Sequence, residues 1–168
     1  MKKLAKNNFN VVVRPHPYSF IYEADFIEKL KSELSPFENI KFDCEIDNLK
    51  SLAKADILIS DVSGVRFDFA FAFNRPVISL ETDSGDIAAD YDYADLSSYW
   101  DIDVSARIGK FIKKADIDKI AEIVKESLGN KENAFFAGQE ALANIGNSAK
   151  VMAGQIENML NTLNEQGE

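Results

Sequence analysis

Residues 55–73, ADILISDVSGVRFDFAFAF, pass from a short apolar run through a polar elbow into a second apolar run, and this passage restricts the folds open to the chain. Ile57, Leu58 and Ile59 follow one another without polar alternation, as in a strand buried on both faces of a parallel sheet. In the second run Val65, Phe67, Phe69, Phe71 and Phe73 alternate with Arg66, Asp68, Ala70 and Ala72, which is the period of a strand and would make the region a hairpin. Against that, alanine favours helix, Asp61 or Ser63 can cap one, and Val65, Phe69 and Phe73 share one helical face. We therefore read 65–73 as a helix buried on several sides. Its first N–H groups and positive dipole end then lie at the carboxyl end of the preceding strand, where a phosphate can be held.

The rest of the chain extends this strand–loop–helix order. Phe9–Val13 reads as a first strand, ended by RPHP, in which Pro15 and Pro17 stiffen the loop around Arg14 and His16. A helix is predicted over Asp25–Leu34, with Phe26, Ile27, Leu30 and Leu34 inward and Pro36 as the stop. Ile40–Cys44 is a second strand, Asp47 caps a short helix to Ala53, and Asp56–Ser60 is the third strand. Pro76 opens a fourth, Val77–Leu80. From Thr82 to Arg107 periodicity disappears, and this reads as a long loop carrying seven aspartates (Asp83, Asp86, Asp90, Asp92, Asp95, Asp101, Asp103) and the aromatics Tyr91, Tyr93, Tyr99 and Trp100. A strand follows near Ile108–Ile112, then a helix capped by Asp116 with Ile117, Ile120, Ala121, Val124 and Leu128 inward, ending at Gly129 and Asn130. Ala134–Leu163 is helical with a break at Gly146 and Asn147.

At 168 residues the chain reads as a single α/β domain over 1–168, a Rossmann-like parallel sheet with helices on both faces. Such sheets bind ligands beyond the carboxyl ends of their strands, and RPHP and SDVSG both fall there. A net charge of −9 argues against nucleic acid or an anionic membrane as the general partner. Cys44, the single cysteine, excludes an internal disulfide and a two-thiolate zinc site, and reads as a buried structural thiol. The aspartates after Asp83 lack EF-hand spacing, so no metal and no cofactor is expected. No run approaches the ~20 apolar residues of a membrane span and the start lacks a signal-peptide core, which points to the cytoplasm.

RPHP (Arg14 to Pro17), ADILISDVSGVRFDFAFAFNRPVI (Ala55 to Ile78) and the following Asp83 together resemble the CDP-glycerol glycerophosphotransferase family, the teichoic acid polymerases and primases of bacterial cell-wall synthesis. The resemblance implies the carboxyl-terminal, donor-binding domain of a two-domain GT-B glycosyltransferase, so that the chain would be a fragment of a longer protein. It implies a CDP-glycerol or related CDP-alditol donor, transfer of the polyol phosphate to a polymer or lipid-linked acceptor, and release of CMP. The acceptor would be held by the missing amino-terminal domain, and the full-length protein would associate peripherally with the inner face of the cell membrane. On this pattern His16 is the catalytic residue, assisting the donor phosphates or the leaving group, and Asp61 and Ser63 match the polar pair at the diphosphate. Asp83 would lie on a donor loop. Where the family commonly shows an aromatic residue and two serines, this chain has Val62, Ser63 and Gly64, which removes one hydroxyl.

The chemistry fits those positions. Breaking a diphosphate develops negative charge that must be neutralised. Ser63 Oγ, the N–H groups of Ser63, Gly64 and Val65, and the helix dipole can contribute, the dipole by ~0.3–1 kcal/mol at an exposed end. A charged hydrogen bond from Arg14 or protonated His16 contributes more, ~1.5–3 kcal/mol. Gly64 allows close backbone approach. Asp61, which a diphosphate repels, would orient the loop, cap the helix or fix His16. From the residues alone two other readings stay open: a donor domain for a nucleotide sugar, and a non-catalytic α/β binding module.

Overall fold

The computed structural model describes residues 1–61, 63–81, 100–129 and 140–166. In chain order it holds α1 (Lys2–Lys6), β1 (Val11–Val13), α2 (Pro17–Tyr22), α3 (Ala24–Leu34), β2 (Ile40–Phe42) and α4 (Leu49–Lys54). There follow β3 (Leu58–Ser60), α5 (Val65–Phe73), β4 (Val77–Leu80), α6 (Trp100–Arg107), β5 (Gly109–Ile112), a 3-10 segment (Lys114–Lys119), α7 (Ile120–Gly129) and α8 (Ser148–Gln166). β1 pairs with β2, and β3, β4 and β5 form a second sheet in that order; every pairing is parallel. With helices between the strands, this is the Rossmann-like α/β arrangement expected.

β4 explains why both faces must be covered. Val77 and Ile78 are fully buried, and successive strand residues point to opposite faces. Val77 joins a cluster with Leu52 of α4, Phe69 and Ala70 of α5, Val104 of α6 and Ile108. Ile78 joins another with Leu4 of α1, Ile112 of β5, and Ile120, Ala121 and Val124 of α7. The helices therefore divide between the two faces. Val11 of β1 packs against this second cluster beside Ile57 and Ile59, so the two sheets share one apolar layer.

α5 settles the ambiguity of the phenylalanine run in favour of helix. Alternate residues on a helix are about 200° apart, so the four phenylalanines cover two sides of it rather than one. Phe69 is fully buried, and Val65, Phe67, Phe71 and Phe73 pack against the same cluster. Complete burial of a phenylalanine contributes about 1.5–3 kcal/mol relative to exposure.

Several expectations are corrected. The amino-terminal segment, for which the sequence reading gives no element, is a helix, α1, anchored by buried Leu4 and Ala5. Pro17 does not merely stiffen a loop but opens α2, because the first helical position needs no N–H. Phe26 is exposed, while Ile27 and Leu34 are buried. Cys44 is exposed, since β2 ends at Phe42 and leaves it in the following loop. Residues 100–107, expected within a loop, form α6 under the buried Val104. Asp116 does not cap α7; it sits inside the 3-10 segment, paired with Lys119 at 3.1 Å, and Ile117 there is 44% exposed. The break near Gly146 is present, with Asn144 and Gly146 both at positive φ before α8. Asp83, Asp86, Asp90, Asp92, Asp95, Tyr91, Tyr93 and Tyr99 lie outside the described residues.

Candidate functional site

The RPHP loop leaves the carboxyl end of β1. In the parallel register Val13 lies opposite Phe42, so Arg14 and Asp43 are the next pair beyond the strands. Arg14 Nη1 donates to Asp43 Oδ2 at 2.6 Å and Nη2 to the Glu45 carbonyl at 2.6 Å. Asp43 also accepts from Ser51 Oγ and, at 2.9 Å, from the Glu45 N–H. These bonds, Ser51 first, then the Glu45 N–H and Arg14, lower the Asp43 carboxyl to about 2. The guanidinium of Arg14 is thus committed to the edge of the first sheet, where it fixes the loop that carries His16.

His16 is the N-cap of α2, in extended backbone conformation, and its Nδ1 accepts the Tyr18 N–H at 3.2 Å. An accepting Nδ1 carries no proton, so in this arrangement the imidazole donates from Nε2. The exposed ring stacks on Tyr18 at 5.5 Å between centroids, and Tyr18 stacks on Tyr22 at 5.6 Å. Tyr18 and Tyr22 are 62% and 75% exposed, so this ladder of rings faces solvent.

The second loop leaves β3. Ser63 N–H donates to the Asp61 carbonyl at 2.9 Å and so does not project outward, contrary to the sequence-based expectation. Gly64, not Asp61 or Ser63, is the N-cap of α5, and it makes no side-chain cap bond. Among the described residues Ser63 Oγ and the Gly64 and Val65 N–H groups have no hydrogen-bond partner. Among the described residues, a Cβ built on Gly64 would meet nothing within 4 Å. Asp61 is exposed, its carboxylate accepting only a long bond from Ser60 Oγ at 3.4 Å among the described residues. No hydrogen bond among the described residues joins the His16 loop to the Ser63 elbow.

Beneath the elbow is a residue that sequence reading passed over. Arg66 is 3% exposed, its Nε donating to the Ser63 carbonyl and its Nη1 to Ser79 Oγ, each at 3.0 Å. A basic residue two positions before Asp68 in an otherwise apolar run was the available signal. Asp43 was likewise missed, because its place beside Arg14 follows only from the register of β1 and β2.

The sequence profile of a family described as CDP-Glycerol:Poly(glycerophosphate) glycerophosphotransferase matches residues 1–115, more than half of the chain and the whole of both loops. The chain belongs to this family. Membership assigns it to the glycerophosphotransferases as a class, with a CDP-glycerol type of donor and a polymer acceptor. No curated protein and no solved structure matches it significantly. No group of His, Cys, Asp and Glu that could hold a metal ion occurs among the described residues, and no described helix is long and apolar enough to cross a membrane.

Proposed function

We propose that this glycerophosphotransferase chain is the donor-binding half of its enzyme and grips a CDP-linked polyol phosphate at the Ser63 elbow. The observation carrying this reading is an elbow with ligand-free donors, Ser63 Oγ and the Gly64 and Val65 N–H groups, at the start of α5 within the family match. Donors fixed before the reaction begins stabilise charge on a breaking diphosphate without reorganising. His16 Nε2–H supplies a further donor to the phosphates or to the departing CMP oxygen. The ring ladder from His16 to Tyr22 gives the cytosine a stacking surface.

Electron flow follows from the class of reaction. An acceptor hydroxyl attacks the glycerol-bearing phosphorus and releases its proton to solvent, the bond to the bridging oxygen breaks, and CMP leaves with that electron pair. Arg14 supports this only at a distance, by holding the His16 loop against β2. Asp61 orients the elbow through its carbonyl. Asp83 would belong to a loop over the donor. A further domain would present the acceptor, a cell-wall or surface polymer, at the membrane face.

Calorimetric titration of the folded chain with CDP-glycerol, CDP-ribitol, CMP and UDP-sugars tests the proposal. CDP-alditols should bind and UDP-sugars should not. A preference for UDP-sugars would transfer the chain to nucleotide-sugar chemistry, and no binding of any nucleotide, also by the full-length protein, would leave a non-catalytic module.

A further inference from the structure

Among the described residues Arg66 is the one buried charged side chain. It lies in the first turn of α5, where a leucine or methionine would pack on neighbouring apolar groups without the desolvation that a guanidinium suffers. Its Nε and Nη1 donate to different elements. Nε reaches the Ser63 carbonyl in the elbow after β3, and Nη1 reaches Ser79 Oγ on β4, 1% exposed and paired in register with Ser60 of β3. The guanidinium carbon also lies 5.3 Å from the centroid of the Phe67 ring. One side chain thus ties the elbow to the next strand across the carboxyl edge of the sheet.

The tie has a directional consequence. A peptide unit is planar and trans, so its carbonyl and the following N–H point opposite ways. The Ser63 carbonyl is drawn inward by Arg66 Nε and by the Arg66 backbone N–H at 3.2 Å. The N–H of the same peptide unit, that of Gly64, is thereby turned the opposite way, away from Arg66. We propose that Arg66 is the positioning residue of the diphosphate pocket, aiming the Gly64 N–H at the donor phosphate while placing a buried positive charge behind it. This rests on the donor-site reading above. Arg66 touches no ligand; it acts through the elbow.

The test compares the whole chain with Arg66→Lys, Arg66→Met and Ser79→Ala, each titrated with cytidine, CMP, CDP and CDP-glycerol after its tertiary circular dichroism is matched to wild type. Losing one charge-supported phosphate contact is expected to weaken CDP and CDP-glycerol about tenfold or more in Arg66→Met, and cytidine less than about twofold. Arg66→Lys, which keeps the charge but not the planar fork, should fall between. Ser79→Ala, which leaves the arginine in place, should weaken the diphosphates by a smaller factor and serves if Arg66→Met does not fold. Equal losses for cytidine and CDP would reduce Arg66 to a scaffold, and unchanged affinities would remove the role. If wild type itself binds no cytidine nucleotide, the donor-site reading falls and this proposal with it.

Discussion

Asp43 shows how one carboxylate at a sheet edge makes the site loop sensitive to acid. Its folded carboxyl titrates at about 2 against an ordinary 3.8, held down by Ser51, the Glu45 N–H and Arg14. A depressed pKa means that the ionised form stabilises the fold: fully above about pH 4, and progressively less as pH falls towards 2. The wild-type chain should lose stability across that window, as followed by circular dichroism in urea, whereas Asp43→Asn should start less stable at pH 7 and show a shallower acid dependence there. Identical slopes would show that the Arg14 pair contributes nothing to folding. Gly64 poses a different question at the same scale. Its φ of −57° is ordinary for any residue and its Cβ would meet nothing, so Gly64→Ser should fold with stability changed by only a few tenths of a kcal/mol. It adds a second hydroxyl beside Ser63, the one that the resemblance implies at this point. CDP-glycerol affinity should rise severalfold by calorimetry, and a fall would mean that the room at Gly64 is needed by the ligand itself.

Two short helices carry the candidate site, and they differ in how far sequence revealed them. α5 was legible because alanines and a plausible cap outweighed a strand-like alternation, and the family motif fell where the elbow does. Its cap was not, because Gly64 occupies the position while the Ser63 hydroxyl stays out of the helix. α2 escaped notice altogether: six residues give no periodicity, and two prolines read more readily as a stop than as a start. Tertiary pairing was equally hidden in Arg14, whose guanidinium finds Asp43 only once β1 and β2 are in register. The strands were placed to within a few residues, since their apolar runs are short and buried, but their ends were overdrawn at Asp56 and Cys44. α2 also supports the exposed rings of Tyr18 and Tyr22 beside His16. Stacking a base on an aromatic ring contributes ~1–3 kcal/mol, so Tyr18→Ala or Tyr22→Ala should weaken CMP binding by roughly five- to a hundredfold. Fluorescence titration with CMP and with ribose 5-phosphate separates the cases: equal losses for both ligands would take the base away from this ladder.

For the whole molecule, the carboxyl edge is only as well defined as the sheet beneath it, and β4 and β5 approach so closely that Gly109 has no room for a side chain. A Cβ there would overlap the Val77 carbonyl on the neighbouring strand. Gly109→Ala should therefore destabilise the fold by ~1–3 kcal/mol, read as a lower urea midpoint with an unchanged slope. Because β4 also carries Ser79, the partner of Arg66, the same strain should reach the elbow and weaken CDP-glycerol at temperatures where the variant is still folded. The division of labour between binding and turnover also belongs to this scale. The donors described at the elbow and at His16 can hold a diphosphate, but in the donor-half reading the attacking hydroxyl comes from elsewhere. Catalysis requires that hydroxyl to be positioned as well as the phosphate neutralised, and orientation alone can account for ~7–11 kcal/mol of a barrier. The 168-residue chain should accordingly bind CDP-glycerol in calorimetry yet release no CMP above the uncatalysed rate when mixed with a glycerophosphate polymer, followed by chromatography of the nucleotide products. Turnover by this chain alone would place the acceptor site within it and overturn the two-domain reading.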